Sequence, residues 1–316
     1  MADFADFGAS LQPLVRESWL RRVSLLRTQQ SILHAFEVVY DLYSNLNPND
    51  TLDSLSPPEF AERLAQHAGE AGFMAKTQGA YTFVCRTEQT TKAACRFYLN
   101  VGTLADRLEV ARRLMARLGP VDRDACEFKV LGSHQNRSDN VVVYATQKVF
   151  AEIKEILRTT DWEGRLRPEI PAGTKRVLDG IGWAEQPGGQ DREYLDNVNA
   201  LFKPNTIPRH EPGLSFGGVM AACVVLGLKG TMPTGGAWDD GPHRIRYCDA
   251  VVEQLRLIGV DARKPHKSIQ LNKHDLVERL RRYFEDDPDT LETIANSEFD
   301  VLFKDAVQLH LQGEFT

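Results

Sequence analysis

The sequence lacks the signatures of several common protein classes. It has no apolar run of membrane-spanning length, and residues 1–6 are acidic where a signal peptide would be basic. Its five cysteines form no Cys-x-x-Cys pair and no ligand spacing with histidine, which predicts a reducing compartment and no zinc site. Glycine-rich nucleotide loops are missing too, because Gly173-Thr174-Lys175 lacks the preceding glycine of a phosphate loop. We therefore expect a cytoplasmic protein without membrane contact or kinase activity.

An excess of positive charge is also missing. The formal net charge is −6, and no long basic run interrupts the chain, which argues against nucleic-acid binding. Hydrophobic residues make up 42% of the sequence and charged residues 26%, as in ordinary globular proteins. A chain of 316 residues can bury a substantial core in one large or two modest domains.

The order of patterns along the chain predicts three segments. Residues 1–75 show mostly helical spacing of apolar residues, and we assign them to an N-terminal helical segment. Residues 76–230 combine strands and helices in an α+β core, with a central, mostly antiparallel sheet flanked by helices. Residues 231–316 form a helical C-terminal lobe packed on this core, with its last helices at 273–284 and 298–312. The terminal helices either cover the sheet, as is common, or dock a partner.

The stretch 95–101 alternates polar and apolar residues, which predicts a half-buried strand. Alternate side chains point to opposite faces of a strand, so one set faces the core and the other lies on the opposite face. The core set is Cys95, Phe97, Leu99 and Val101, and the other set is Arg96, Tyr98 and Asn100. A helix should follow, with Thr103 as its N-cap and Gly119-Pro120 at its end.

Two further strands carry polar residues that could join this face. Residues 125–131 place Lys129 opposite an apolar face, and the strand at 141–144 ends in Tyr144. If the two strands pair as a hairpin, Lys129 and Tyr144 lie beside Arg96 and Tyr98, on a surface suited to an anionic group. Strands with one solvated face also carry such residues without any catalytic role, and the pattern alone favours that interpretation.

Two loops contain further polar candidates. The loop at 132–139 contains His134 and Arg137. The long loop at 187–213 contains Arg209 and is followed by Ser215, a predicted N-cap for an apolar helix. A helix N-terminus beside an arginine predicts an anion site. The alternative is that Ser215 only caps the helix and that Arg209 is solvated.

Several short motifs together resemble known families. One set is Arg96-Phe97-Tyr98-Leu99-Asn100-Val101, Phe128-Lys129-Val130, Arg137 and Tyr144. A second set is Phe128-Lys129-Val130-Leu131, Arg137-Ser138-Asp139-Asn140-Val141-Val142-Val143-Tyr144, Gly180-Ile181-Gly182-Trp183-Ala184-Glu185-Gln186-Pro187 and Ser215-Phe216-Gly217. The second set is similar to the HopA effector-like family, whose members include the separate lyase proteins of class V lanthipeptide and thioamitide biosynthesis. More distantly, the first set resembles the OspF/SpvC phosphothreonine lyases and the lyase domains of class III and IV lanthipeptide synthetases. The likeness covers roughly residues 76–230.

The resemblance implies β-elimination of phosphate from phosphoserine or phosphothreonine. Lys129 matches the base, which must be neutral to act, and the cations of Arg96 and Arg137 would disfavour its charged form. Both arginines suit the phosphate because a guanidinium binds it bidentately. Tyr144 could donate to the developing oxyanion. The resemblance implies no metal and no organic cofactor.

One departure from the lyase pattern leaves the general acid open. The phosphothreonine lyases have Lys-x-His where this chain has Arg96-Phe97-Tyr98. Tyr98 occupies the position of the histidine and could protonate the departing oxygen. His134 in the polar loop is the alternative donor.

The resemblance also implies partners. The substrate would be a phosphorylated precursor peptide, converted to dehydroalanine or dehydrobutyrine, and a separate kinase would phosphorylate it. The alternative is a non-catalytic effector-like protein that binds a partner protein or phosphopeptide through the same basic face.

Overall fold

A computed structural model describes residues 4–22, 29–44, 54–88, 93–135, 137–186, 216–231 and 241–268. By their contacts, residues 41–186 form one compact unit, and residues 1–40 with 187–316 form another. This division differs from the three predicted segments, because the helix at 57–70 packs with the sheet rather than with an N-terminal helical segment. The predicted loop at 187–213 and the predicted helices at 273–284 and 298–312 lie outside the described residues.

The unit at 41–186 contains a seven-stranded sheet in which every described pair is antiparallel. The strands lie in the order β1-β2-β4-β5-β3-β7-β6. Their bounds are β1 (Met74–Gln78), β2 (Tyr81–Cys85), β3 (Cys95–Leu99), β4 (Cys126–Leu131), β5 (Val141–Ala145), β6 (Lys175–Leu178) and β7 (Ile181–Glu185). The predicted α+β fold with a mostly antiparallel central sheet is confirmed. The sequence pattern did not predict β1, whose side chains are half-buried or exposed.

Helices from the same unit contribute to the hydrophobic core on one face of this sheet. Phe97, Phe128 and Val143, from three neighbouring strands, are fully buried in this core. Phe150 stacks on Phe97 at 5.4 Å between ring centroids and contacts Trp183 at 4.8 Å. The helices are α3 (Pro57–Glu70), α4 (Leu104–Leu118) and α5 (Phe150–Thr159), the last preceded by a 3-10 turn at Gln147–Val149.

The start of α4 agrees with the sequence prediction. The Thr103 hydroxyl accepts the backbone N–H of Asp106, and the Asp106 carboxylate accepts the backbone N–H of Thr103. This reciprocal capping box satisfies two of the helix N-terminal groups. Ser56 and Glu59 form the equivalent box at the start of α3.

The second unit is helical in the part that the structure describes. It contains α1 (Gln12–Arg22), α6 (Phe216–Thr231), α7 (Gly241–Leu257) and a 3-10 turn at Phe4–Asp6, while α2 (Gln29–Tyr43) begins in this unit and ends in the sheet unit. The Tyr247 hydroxyl donates to the Val15 carbonyl at 3.0 Å, and its ring lies 5.0 Å from that of Trp19. None of the described helices is both long and apolar enough to span a bilayer.

The prediction of a half-buried β3 is wrong, because both of its faces are covered. Arg96, Tyr98 and Asn100 are only 9%, 3% and 5% exposed. The Asn100 side chain donates to the Glu169 carbonyl at 3.1 Å, so the chain after α5 closes over this end of the strand. The alternation correctly gave two faces but could not show that the polar face is buried.

Candidate active site

The strand register brings the predicted polar residues together on one sheet face. Strand β5 lies between β3 and β4, with Tyr144 opposite Arg96. One row further along, Val142 lies between Tyr98 on β3 and Lys129 on β4. The predicted hairpin of β4 and β5, and the shared face of these side chains, are therefore confirmed.

The ring of Tyr144 links the two cations of this face. The Arg96 Cζ lies 5.3 Å from the centroid of the ring, and the Lys129 Nζ lies 5.9 Å from it. Both distances are within the range of cation–π attraction. The site thus places a guanidinium and an amine around a single phenol.

Neither cation forms an ion pair with a carboxylate among the described residues. Arg96 is buried, and its Nε has no hydrogen-bond partner there. Burial lowers the pKa of Arg96, but the Tyr98 and Tyr144 phenols outweigh this effect and the net direction is upward. A buried guanidinium without a carboxylate is costly unless an anion joins it. This is the electrostatic property that a phosphate site requires.

Tyr98 lies close enough to Arg96 that each side chain affects the pKa of the other. Burial raises the pKa of Tyr98 well above its ordinary value, and the Arg96 charge offsets this only in part. A phenol with a raised pKa is a weaker acid. Tyr98 is therefore well placed to favour the charged form of Arg96 and poorly suited to release a proton.

Arg137 already has a carboxylate partner. Its Nε and Nη2 donate to the two Asp139 oxygens at 2.9 and 3.1 Å, and the two side chains are 12% and 8% exposed. Asp139 lies close enough to the site that its charge contributes to the raised pKa of Tyr98. Arg137 is thus connected to the site through Asp139, with its charge largely offset.

The residues after Arg137 fix the loop to the rest of the fold. The Ser138 backbone N–H and hydroxyl both donate to the Ser44 carbonyl, at 2.7 and 2.8 Å. The Asn140 amide donates to the Val101 carbonyl at 2.6 Å and accepts the Val101 N–H at 3.0 Å. Ser138 and Asn140 of the motif at 137–144 therefore have a structural role.

His134 is exposed on the same loop, outside the group of buried residues. The buried Arg107 anchors the loop, donating to the carbonyls of Leu131, Ser133 and Gln135 at 2.9, 2.6 and 2.8 Å. Arg107 thus holds the backbone on both sides of His134. The other two predicted binding residues, Arg209 and Ser215, lie outside the described residues.

The glycines of the Gly180-Ile181-Gly182 motif allow close packing beside the site. Gly182 lies opposite Tyr98, where a Cβ would collide with the Thr174 side chain. Gly180 has a φ of 77°, and a Cβ there would collide with the Arg167 carbonyl. The motif therefore supports the wall of the site rather than its chemistry.

Sequence reasoning missed three side chains of this face. Tyr81 and Phe83 on β2 lie 4.2 and 5.8 Å from the Lys129 Nζ, measured to the ring centroids. Glu127 on β4 lies opposite Tyr144 and is 8% exposed. Alternation in the β2 pattern would have placed Tyr81 and Phe83 on one face. No local signal shows that β2 pairs with β4, which follows it by about forty residues.

Metal ligands are not assembled in the part of the chain that the structure describes. No group of three or more His, Cys, Asp or Glu side chains there could hold a metal ion. All five cysteines are buried and form no disulfide.

Comparison with known proteins confirms the suspected resemblance. Residues 75–196 match the model of the HopA1 effector protein family. The fold is similar to that of the effector protein from Pseudomonas syringae pv. tomato strain DC3000, with a TM-score of 0.54, 14% identity and coverage of 83% of this chain and 99% of that one. The fold is also similar to that of the effector protein from Pseudomonas syringae pv. syringae strain 61. For this protein the TM-score is 0.52 and the identity 12%, with coverage of 81% of this chain and 96% of that one.

A weaker likeness is to the type III effector and phosphothreonine lyase OspF from Shigella flexneri. Its TM-score is 0.31, with 14% identity and coverage of 55% of this chain and 98% of that chain. No curated protein matches this chain in sequence. At such identities, the two Pseudomonas effectors establish the fold and leave the chemistry to be argued from the site.

Proposed function

We propose that this protein is a lyase that eliminates phosphate from phosphoserine or phosphothreonine in a precursor peptide, giving dehydroalanine or dehydrobutyrine. The observation that carries the proposal is the pair of cations around Tyr144. Arg96 and Lys129 lie 5.3 and 5.9 Å from one ring, and neither has a carboxylate partner among the described residues. This elimination needs a cation that binds the phosphate and, beside it, an amine that removes the Cα proton.

Arg96 binds the phosphate in this proposal. Its guanidinium can hold two phosphate oxygens, and burial strengthens the attraction because little water screens it. Tyr98 lies two residues from Arg96 on β3, on the same sheet face, and favours its charged form. Arg137 is a second binding residue only if it exchanges Asp139 for the phosphate, so its contribution is the smaller one.

Lys129 removes the proton from Cα of the phosphorylated residue. The electron pair left on Cα forms the Cα=Cβ double bond while the Cβ–O bond breaks, and phosphate leaves with the bridging oxygen. The negative charge that develops on the neighbouring carbonyl oxygen needs a donor, and Tyr144 is the phenol between the two cations. The proposed elimination requires no redox step and no cofactor.

The departing oxygen takes a proton from Tyr98 or from His134. Tyr98 is adjacent to Arg96, but its raised pKa makes the transfer unfavourable. His134 is exposed on the anchored loop, and histidine is the side chain that most often transfers protons in enzymes. Loss of rate in His134→Ala with full rate in Tyr98→Phe would assign the donor to His134, and the reverse result would assign it to Tyr98.

The alternative function is non-catalytic binding of a partner protein or phosphopeptide through the same face. Burial argues against a broad protein interface there, because Arg96 and Tyr98 are 9% and 3% exposed. A protein partner needs accessible area, whereas a phosphorylated side chain needs only a recess. The favoured ligand is therefore a single phosphorylated residue.

The test is incubation of the protein with a synthetic phosphoserine or phosphothreonine peptide, followed by mass spectrometry and trapping of the product with a thiol. We expect loss of phosphoric acid and addition of the thiol to the new double bond. The unphosphorylated peptide is the matched control and should remain unchanged. Phosphopeptide that binds but keeps its phosphate would instead support the non-catalytic function.

A further inference from the structure

Three aromatic rings surround the amine of Lys129. Its Nζ lies 4.2 Å from the ring centroid of Tyr81, 5.8 Å from that of Phe83 and 5.9 Å from that of Tyr144. We call Tyr81, Phe83 and Tyr144 the aromatic cage. Two of its rings come from β2 and one from β5, so it spans the strands on either side of Lys129.

The strand register explains why Tyr81 is the nearest ring. Phe83 is the direct cross-strand partner of Lys129, whereas Tyr81 is the partner of Leu131 and lies diagonally from Lys129. Long side chains commonly reach such diagonal neighbours across an antiparallel pair. The flexible lysine chain therefore carries its Nζ past Phe83 toward the face of Tyr81.

We infer that Tyr81 is a positioning residue for Lys129: its ring holds the amine over β2. This inference rests on the proposed lyase function. The negative face of an aromatic ring attracts a cationic amine within about 6 Å of the ring centroid. Tyr81 therefore fixes where the Lys129 amine lies on the sheet face.

Other charged and titratable groups share this sheet face with Lys129. Asp139 also lies close enough to affect Tyr98. The groups on the strands are Glu127 on the strand of Lys129, Tyr81 and Cys85 on β2, Lys76 on β1, Tyr144 on β5, and Arg96 and Tyr98 on β3. Tyr81 is the aromatic group nearest to the Nζ, so its replacement changes the environment of the amine most directly.

The experiment compares Tyr81→Leu, which removes the ring, with Tyr81→Phe, which keeps it. In Tyr81→Leu we expect kcat with the phosphopeptide to fall roughly tenfold while KM changes little, because the amine is less well held and Arg96 still binds the phosphate. Tyr81→Phe should restore the wild-type kcat. An unchanged kcat in folded Tyr81→Leu would overturn the inference.

A spectroscopic readout is independent of catalysis. A ring face against the amine should shift the Lys129 ε-methylene protons upfield in the NMR spectrum. We expect Tyr81→Phe to keep this shift, Tyr81→Leu to lose most of it, and Phe83→Leu to lose less because that ring is more distant. An unchanged shift in Tyr81→Leu would also overturn the inference. A wild-type protein with the shift but without lyase activity would contradict the proposed function and leave the aromatic cage intact.

Discussion

Arg96 is the residue whose environment is hardest to explain without a ligand. Its guanidinium is buried beside Tyr98 and Tyr144, with no carboxylate paired to it among the described residues. Proteins normally pair a buried charge because the cost of removing it from water is several kcal/mol. Tyrosine faces offset part of this cost, and a bound phosphate would offset more.

Replacement of Arg96 should weaken substrate binding far more than replacement of Arg137. We expect Arg96→Lys to lower kcat/KM roughly thirtyfold, which corresponds to about 2 kcal/mol, because it keeps the charge and loses bidentate binding. Arg137→Gln should have a smaller effect, since the Arg137 charge is offset by Asp139. Steady-state kinetics with one phosphopeptide and both variants check the order. A larger loss in Arg137→Gln would show that Arg137 exchanges its partner and binds the phosphate.

At the scale of elements, the sequence predicted local features well and burial poorly. The Thr103 cap and the end of α4 near Gly119 depend on neighbours in the chain, and the structure agrees with both predictions. The burial of Arg96 and the aromatic cage depend on strand order, which places β2 beside β4 and β5 beside β3. That order results from contacts distant in sequence, so a local pattern could not reveal it.

The side chain of Asn140 is the link between β5 and the end of β3. Asn140→Ala should destabilise the fold by about 3 kcal/mol, because both backbone groups of Val101 lose their partner inside the core. Asn100→Ala is the control: it removes one bond, to the Glu169 carbonyl, and should cost less. Urea denaturation measures both losses. If the two variants had equal free energies of unfolding, the Asn140 side chain would not be the link between β5 and the end of β3.

Helix α4 carries an acid-sensitive ion network. Arg112 and Arg113 hold the pKa of Glu109 at about 2, below its ordinary value of 4.5. A lowered folded-state pKa stabilises the protein above the ordinary value, and the contribution disappears as the pH falls through the folded-state value. Near neutrality, the free energy of unfolding of the wild type should exceed that of Glu109→Gln by about 1 kcal/mol, after allowance for solvent screening.

The difference in free energy of unfolding between wild type and Glu109→Gln should decrease as the pH falls from about 5 to about 2. Denaturant unfolding at several pH values measures it, and the lowest pH serves as the internal control. A difference that stays constant across the range would contradict the role of Glu109 as an ionised partner of the two arginines.

At the scale of the whole molecule, the proposed chemistry needs a substrate that another protein prepares. The proposed elimination acts on a residue that is already phosphorylated, and the sequence carries no nucleotide-binding signature. We propose a separate kinase partner. Contact between kinase and lyase would raise the local concentration of the phosphorylated intermediate, to roughly millimolar for a short tether.

Unphosphorylated precursor peptide should remain unchanged with this protein and ATP, and should be dehydrated once the kinase is added. The physical reason is that hydroxide is a poor leaving group, whereas phosphate departs readily. Mass spectrometry of the peptide checks the result, and prephosphorylated peptide without ATP is the positive control. Dehydration by this protein and ATP alone would show that the protein has kinase activity and needs no separate kinase.

The role of Lys129 as the base is tested most directly by elimination in Lys129→Ala, measured beside its binding of the phosphopeptide. We expect binding to remain largely intact, because Arg96 supplies the phosphate contact, while formation of dehydroalanine or dehydrobutyrine stops. Isothermal titration and mass spectrometry on the same preparation give the two quantities. Normal turnover by Lys129→Ala would contradict the role of Lys129 as the base, because the Cα proton would then have another acceptor.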